Sequence, residues 1–191
     1  MEPLDNPIWA ALTTRHADLS EGDHLARRYL PSYTTLAGME TETEAAFASL
    51  AKITSRAQRL GLCSQSDTSI PSMFNCSAKF LVSQMICDEL KDCKTFPMEI
   101  LTDSDIPEMK ALVMQTQPGP FSDRTINFGT FLAIKVNGKI VAMAGQRMKI
   151  PGYDEVSAVC THPDHQGKGY ARALRKAHCR GRQHAYAACT L

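Results

Sequence analysis

Val156-Ser-Ala-Val-Cys-Thr-His-Pro-Asp-His-Gln-Gly-Lys-Gly-Tyr-Ala-Arg-Ala-Leu174 is the stretch on which the reading of this chain turns. Its apolar start, Val156 to Thr161, predicts a buried strand. A turn with two glycines follows, and a basic helix begins after it. That order of elements builds an anion site. Glycines let backbone N–H groups point inward, and a helix N-terminus adds its partial positive charge. A pyrophosphate fits such a place with little further help. Lys168 and Arg172 stand where phosphates are expected, whereas Arg175, Lys176 and Arg180 read as a solvated helix face.

The spacing narrows the ligand. The loop is not Gly-x-x-x-x-Gly-Lys-Ser/Thr, because no Ser or Thr follows Lys168. It is not Gly-x-Gly-x-x-Gly either, because Tyr170, Ala171 and Arg172 bring no third glycine after Gly167 and Gly169. What stands here is Gln166-x-x-Gly169-x-Ala171, entered from a strand that ends just before Pro163. This resembles the acetyl-CoA signature of the GNAT N-acetyltransferase superfamily, Gln/Arg-x-x-Gly-x-Gly/Ala.

Composition fits a folded, water-soluble chain. It has 191 residues, 43% hydrophobic and 21% charged, with a formal net charge of +1. That length buries a sizeable core in one domain, or one and part of a second. The near-neutral charge gives no reason to expect nucleic acid as a partner. No apolar run approaches the roughly 20 residues that span a bilayer, so no membrane partner is expected. The start, Met-Glu-Pro-Leu-Asp, lacks a basic region followed by an apolar run, so no leader is expected and the expected setting is the cytoplasm. The seven cysteines form no Cys-x-x-Cys pair, and no metal site is predicted. Reduced, buried thiols are the default.

The chain divides near residue 95. In residues 1–95, Thr41-Glu42-Thr43-Glu44 offers a capping box, and Phe47, Leu50, Ile53, Ala57 and Leu60 follow at helical spacing up to Gly61. Residues 62–77 read as a loop, and Phe80 to Cys87 favours a strand. No chemistry is legible there. In residues 96–191, Phe96 to Leu101 is a short strand, and Thr102 to Asp105 caps a helix carrying Met109, Leu112 and Val113 on one face. Pro118-Gly-Pro-Phe-Ser-Asp123 forces a loop. The runs 131–136 and 139–145 flank Asn137-Gly138, the strongest short hairpin signal. Pro151-Gly152 ends that pair, and Tyr153 to Thr161 is the next strand.

That order is also the order of the GNAT core over residues 96 to 178. The resemblance implies an α/β fold of the α+β type: a mixed, mostly antiparallel sheet flanked by helices, here preceded by a partly helical N-terminal region. It implies acetyl-CoA as co-substrate and transfer of an acetyl group to a small-molecule or peptide amine. It places the pantetheine arm along the backbone of Val159, Cys160 and Thr161. It wraps the pyrophosphate with Gln166, Gly167, Lys168, Gly169, Tyr170 and Ala171. Tyr170 packs under the loop, and a Cβ at either glycine would block close approach.

Acyl transfer needs a base, an oxyanion donor and an acid for the leaving thiolate. Strand alternation puts Glu155, Ser157, Val159 and Thr161 on one face, with Val156, Ala158 and Cys160 on the other. Glu155 is the candidate base, since family members often carry a glutamate on this strand. The alternatives for Glu155 are a solvent-facing strand end or a partner for an Arg such as Arg147. The oxyanion donor would be a backbone N–H near Val159 or Cys160, with Cys160 itself structural. His162 and His165 read as surface-loop histidines. Phe121 and Arg124 are candidates to line the acceptor pocket.

GNAT domains continue past the CoA helix with a fifth strand, which forms the other wall of the cleft, and a helix carrying a tyrosine acid. Here Arg180 to Leu191 has room for a short strand at most, and Tyr186 lacks the helical setting of the acid. The expectation is a core truncated after the CoA-binding helix, with an edge open to pairing with a second copy of the chain. Two functions therefore stand: an N-acetyltransferase, or a catalytically impaired CoA-binding or protein-interaction remnant. The acceptor cannot be read, though no acidic run is present to greet a strongly basic one.

Overall fold

The computed structural model describes residues 2–87 and 89–179, and the backbone of 185–190. Contacts divide it into two compact units, residues 1–81 with 148–151 and residues 82–147 with 152–191.

In the first unit, Asn6 accepts from the Trp9 N–H and Pro7 occupies the first turn, which together start α1, Pro7–Thr13. A small antiparallel sheet follows: β1 (Ser20–Gly22), β2 (Ala26–Tyr29) and β3 (Ala37–Met39). Thr43 caps α2, Glu44–Lys52, by accepting from the Ala46 N–H. Phe47 and Leu50 of α2 bury themselves against Ala26, Ala37 and Met39. The helix expected to reach Leu60 stops at Lys52. The Thr54 hydroxyl takes the Leu50 carbonyl, and the Ser55 N–H goes to the Gln58 side chain. These local bonds replace the helical ones.

The second unit holds a six-stranded sheet in the order β4-β9-β8-β7-β6-β5. Its strands are β4 (Val82–Cys87), β5 (Glu99–Ile100), β6 (Phe131–Val136), β7 (Lys139–Ile150), β8 (Tyr153–Thr161) and β9 (Ala185–Thr190). Its helices are α3, Ile106–Thr116, and α4, Tyr170–Cys179. The β6–β7 hairpin turns at Asn137 (φ +52°) and Gly138 (φ +77°), the two positive angles a type I′ turn requires. The Thr102 N–H donates to Asp105, half of the reciprocal box that caps the short turn Asp103–Asp105 leading into α3. Met109 and Leu112 of α3 pack on Phe131, Ala133, Met143 and Cys160. Each such buried side chain contributes about 1.5–3 kcal/mol. Leu174 of α4 packs on Ile134, Val141, Ala142 and Ala144 of β6 and β7. The sheet is thus covered by α3 on one face and α4 on the other. The buried His178 ring fastens α4 further, with Nε2 donating to the Ala144 carbonyl at 3.0 Å.

One expectation is corrected. The edge expected to lie open carries β9, which runs parallel to β8. Ala-Tyr-Ala-Ala-Cys-Thr is short and rich in small residues, so its sequence shows no apolar alternation. The strand is held by neighbours instead, with β8 on one side and β4 on the other. Arg180 and the side chains of Tyr186 and Cys189 lie outside the described residues. Among the described residues no helix is long and apolar enough to cross a membrane. No group of three or more His, Cys, Asp or Glu among them is placed to hold a metal ion.

Candidate functional site

The site is built around β8. Its first residues register with β9 at Asp154↔Ala185 and Glu155↔Tyr186. Further along, β9 keeps its register with β4, from Cys87↔Ala185 to Val82↔Thr190. The described pairing of β8 with β9 is therefore confined to one end. Next, Ala158 takes a left-handed backbone, φ +52°, inside the strand. Such a kink shifts the alternation of side chains by one. Ser157 and Ala158, neighbours in sequence, both line one pocket. Beyond them Cys160 joins the core under α3, and Val159 joins the core under α4. The expected grouping of Val159 with Glu155 and Ser157 on one face is thus corrected. An i, i+2 rule cannot anticipate one left-handed residue.

The pocket is small and partly open to solvent. Pro118, Pro120, Phe121 and Phe131 supply an apolar wall, and Gln146, Arg147, Thr125 and Ser157 supply polar groups. Phe121 thus lines it as expected. Arg124 is absent from the lining and stands instead at the start of the short turn Thr125–Phe128. The Phe121 and Phe131 rings meet edge to face, with centroids 6.0 Å apart. Phe131 lies flat on Gly145, its partner across the hairpin. A Cβ on Gly145 would stand 2.2 Å from the ring.

Glu155 is fully buried, at 0% exposure, while the Arg147 side chain keeps 23% and lines the pocket. The guanidinium grips both carboxylate oxygens: Nε donates to Oε2 at 2.8 Å and Nη2 donates to Oε1. The pairing with Arg147 weighed in the sequence is therefore present. Deeper, Gln146 donates to Asp154 and accepts from the Thr130 N–H. The Cys160 thiol is 6% exposed, and burial pushes its pKa up. Thiolate chemistry at Cys160 is disfavoured accordingly.

The glycine turn follows at the end of β8. Pro163–His165 form one short turn, capped when the Asp164 N–H donates to His162 Nδ1 at 3.3 Å. Gly167 (φ +75°) and Gly169 (φ +88°) then bend the chain into α4. An added Cβ at either would meet no atom within 4 Å. Within the protein, then, these glycines are required by backbone angle and not by crowding. An added Cβ at either would point into open space. Gln166 and Lys168 are exposed, with Lys168 Nζ 3.3 Å from His165 Nδ1. Tyr170 packs edge to face on Phe96, with centroids 4.7 Å apart, under the loop. Ala171 is half-buried in the first turn of α4.

The family profile described as the acetyltransferase (GNAT) family matches residues 85–189. A solved GNAT-family protein from Novosphingobium aromaticivorans is 30% identical, with a TM-score of 0.88, over 100% of this chain and 87% of that one. The chain belongs to the GNAT acetyltransferase family. Two Escherichia coli structures share less with it. The ribosomal-protein-S18-alanine N-acetyltransferase is 20% identical over 44% of this chain and 56% of its own, at TM-score 0.38. A GNAT family N-acetyltransferase in complex with CoA is 13% identical over 48% and 58%, at TM-score 0.36. No curated protein matches the chain.

For this GNAT chain, the profile runs from within β4 through β8, the glycine turn and α4 into β9. Sequence reading missed Thr125, Gln146 and Ser157 as pocket residues, along with the ring-on-glycine contact at Gly145. They lie on separate elements, and no local signal marks their convergence.

Proposed function

We propose that the chain is an N-acetyltransferase that moves an acetyl group from acetyl-CoA to an amine by direct attack. The observation that most supports this reading is the parting of β8 from β9 past Glu155, beside a glycine turn whose Cβ directions are open. A partly unpaired strand offers backbone groups to an extended arm. A positive-φ loop at a helix start offers N–H groups to a pyrophosphate. The residues present therefore fit acetyl-CoA.

In this reading Gln166 to Ala171 hold the pyrophosphate, with Lys168 adding charge from the exposed side. Val159, Cys160 and Thr161 meet the pantetheine arm through backbone, since the Val159 and Cys160 side chains serve the two cores. Acetyl-CoA supplies an activated acyl group as its thioester. The amine enters through the pocket at Ser157 and Ala158 and attacks the thioester carbon; the C–S bond then breaks, the acetyl group stays on nitrogen, and CoA leaves as a thiolate that takes up a proton from water. A backbone N–H near Val159 or Cys160 donates to the developing oxyanion. Glu155 receives the amine proton through water, because it is fully buried and both its oxygens are held by Arg147. The same clamp is the observation that favours the second reading, a CoA-binding protein without a working base.

Calorimetry with acetyl-CoA, followed by thiol release with a panel of primary amines, separates these readings. The enzyme reading expects binding, turnover of at least one amine, and a fall of about 100-fold or more in kcat for Glu155→Gln. Binding without turnover of any amine supports the remnant. A folded chain that binds no acetyl-CoA overturns both.

A further inference from the structure

We propose that the chain forms a twofold dimer through β4, whose open edge pairs antiparallel with β4 of a second copy. The inference is independent of the acyl-transfer reading. β4 stands at one end of the six-stranded sheet, with β9 on its inner side and no described strand on its outer side. Outside that pairing, no hydrogen bond among the described residues uses the backbone of Val82 to Ile86. A row of unpaired N–H and C=O groups is a template for another strand, and folded proteins blunt it with charge, proline or brevity.

The other sheet edges of this chain are blunted in those ways. β5 has two residues, follows Pro97, and carries Glu99, which the Lys135 ammonium meets at 3.0 Å. β1 and β3 have three residues each. β4 has six, Val82-Ser-Gln-Met-Ile-Cys87, with neither a charge nor a proline among them. Its large apolar side chains face water: Val82 is 44% exposed, Met85 43% and Ile86 46%. Strand alternation puts Val82, Gln84 and Ile86 on one face and Met85 on the other, so both faces carry bare apolar surface.

These features select the occupant. The open ladder calls for a strand, and the side chains call for one that is uncharged and apolar on both faces. β4 of a second copy meets both demands. With a twofold axis at Gln84, antiparallel pairing sets Val82 opposite the partner's Ile86 and Met85 opposite the partner's Ser83. The two Gln84 amides then meet at the axis, where each can donate to the other. Such an interface uses up the unguarded edge of both copies, so association closes at two.

The test is sedimentation of the full chain from micromolar to submillimolar concentration. The wild type should pass from monomer to dimer over that range. Gln84→Glu and Gln84→Lys each place like charges opposite one another at the axis, and each should weaken the dimer about fivefold or more at low salt. An equal mixture of the two variants should pair again, as a heterodimer. Gln84 is exposed, so both variants should keep the wild-type Tm, and Ile86→Lys is a second, independent break in the same edge. A wild type that stays monomeric, a species larger than a dimer, a dimer that Gln84→Glu and Ile86→Lys leave intact, or a mixture no tighter than either variant alone would each overturn the proposal.

Discussion

Replacing Gly169 by alanine separates what the loop needs for folding from what it needs for a ligand. At φ +88° an L-residue costs roughly 1–2 kcal/mol in backbone strain. No further folding cost arises, because the added Cβ meets no protein atom within 4 Å. Gly138 is the matched control. It sits at φ +77° in the β6–β7 turn, and its Cβ direction is equally open. Both variants should therefore lose the same roughly 1–2 kcal/mol, seen as a fall in Tm of about 2–8 °C for a chain of this size. Only Gly169→Ala should weaken acetyl-CoA, by at least tenfold or about 1.4 kcal/mol, because its methyl enters the space where the pyrophosphate approaches. Gly167→Ala, at φ +75°, should behave like Gly169→Ala. Thermal unfolding and calorimetry on the three variants give both numbers. Equal affinities for Gly169→Ala and Gly138→Ala would refute the assignment of the loop. A much larger loss of stability at Gly169 would refute the claim that its surroundings are open.

Arg147→Met should cost about 3–5 kcal/mol in urea unfolding, because it strips the guanidinium from a buried carboxylate. Arg147→Met/Glu155→Leu should recover much of that loss, and equal stability of the single and double variants would refute the ion pair as the cause. Gly145→Ala should destabilise by about 1–3 kcal/mol, since its Cβ would stand 2.2 Å from the Phe131 ring. Adding Phe131→Leu should relieve it, and failure of that rescue in thermal unfolding would remove the ring as the cause. His16 is buried against the Tyr29 hydroxyl, and burial first, then Lys149 and Arg15, lower its pKa from 6.5 to about 4. The folded state thus resists a proton that the unfolded chain accepts. Stability is full above pH 6.5 and should fall by up to about 3 kcal/mol as pH drops toward 4, a loss that His16→Phe abolishes. A wild-type stability flat between pH 7 and pH 4.5 would contradict it.

The elements that sequence placed well are those with local physical causes. Asn137-Gly138 can be read as a hairpin because only a few residues accept two positive φ angles in succession. Thr102 and Asp105 cap the turn that leads into α3 through bonds three residues apart. The Gln166 to Ala171 loop is legible because its glycines are demanded by the loop's own angles. Even the failure at α2 is local in cause: Thr54 and Ser55 end the helix with bonds to near neighbours, which the apolar spacing of Ala57 and Leu60 concealed.

Other features have no local cause. β9 is a strand because β4 and β8 flank it, and its small residues announce nothing. Arg147 and Glu155 could have been solvated in sequence, yet the turn at Pro151-Gly152 lays them side by side and buries the carboxylate. The pocket assembles Phe121, Phe131, Gln146 and Ser157 from separate elements, and one left-handed residue, Ala158, aims two consecutive side chains into it. The sequence by itself determined the family, the order of elements and the glycine turn before α4, since short-range sterics and hydrogen bonding suffice for those. The tertiary structure alone decided the place of β9, the burial of Glu155 against Arg147 and the lining of the pocket, since each depends on which distant surfaces the folded chain brings into contact.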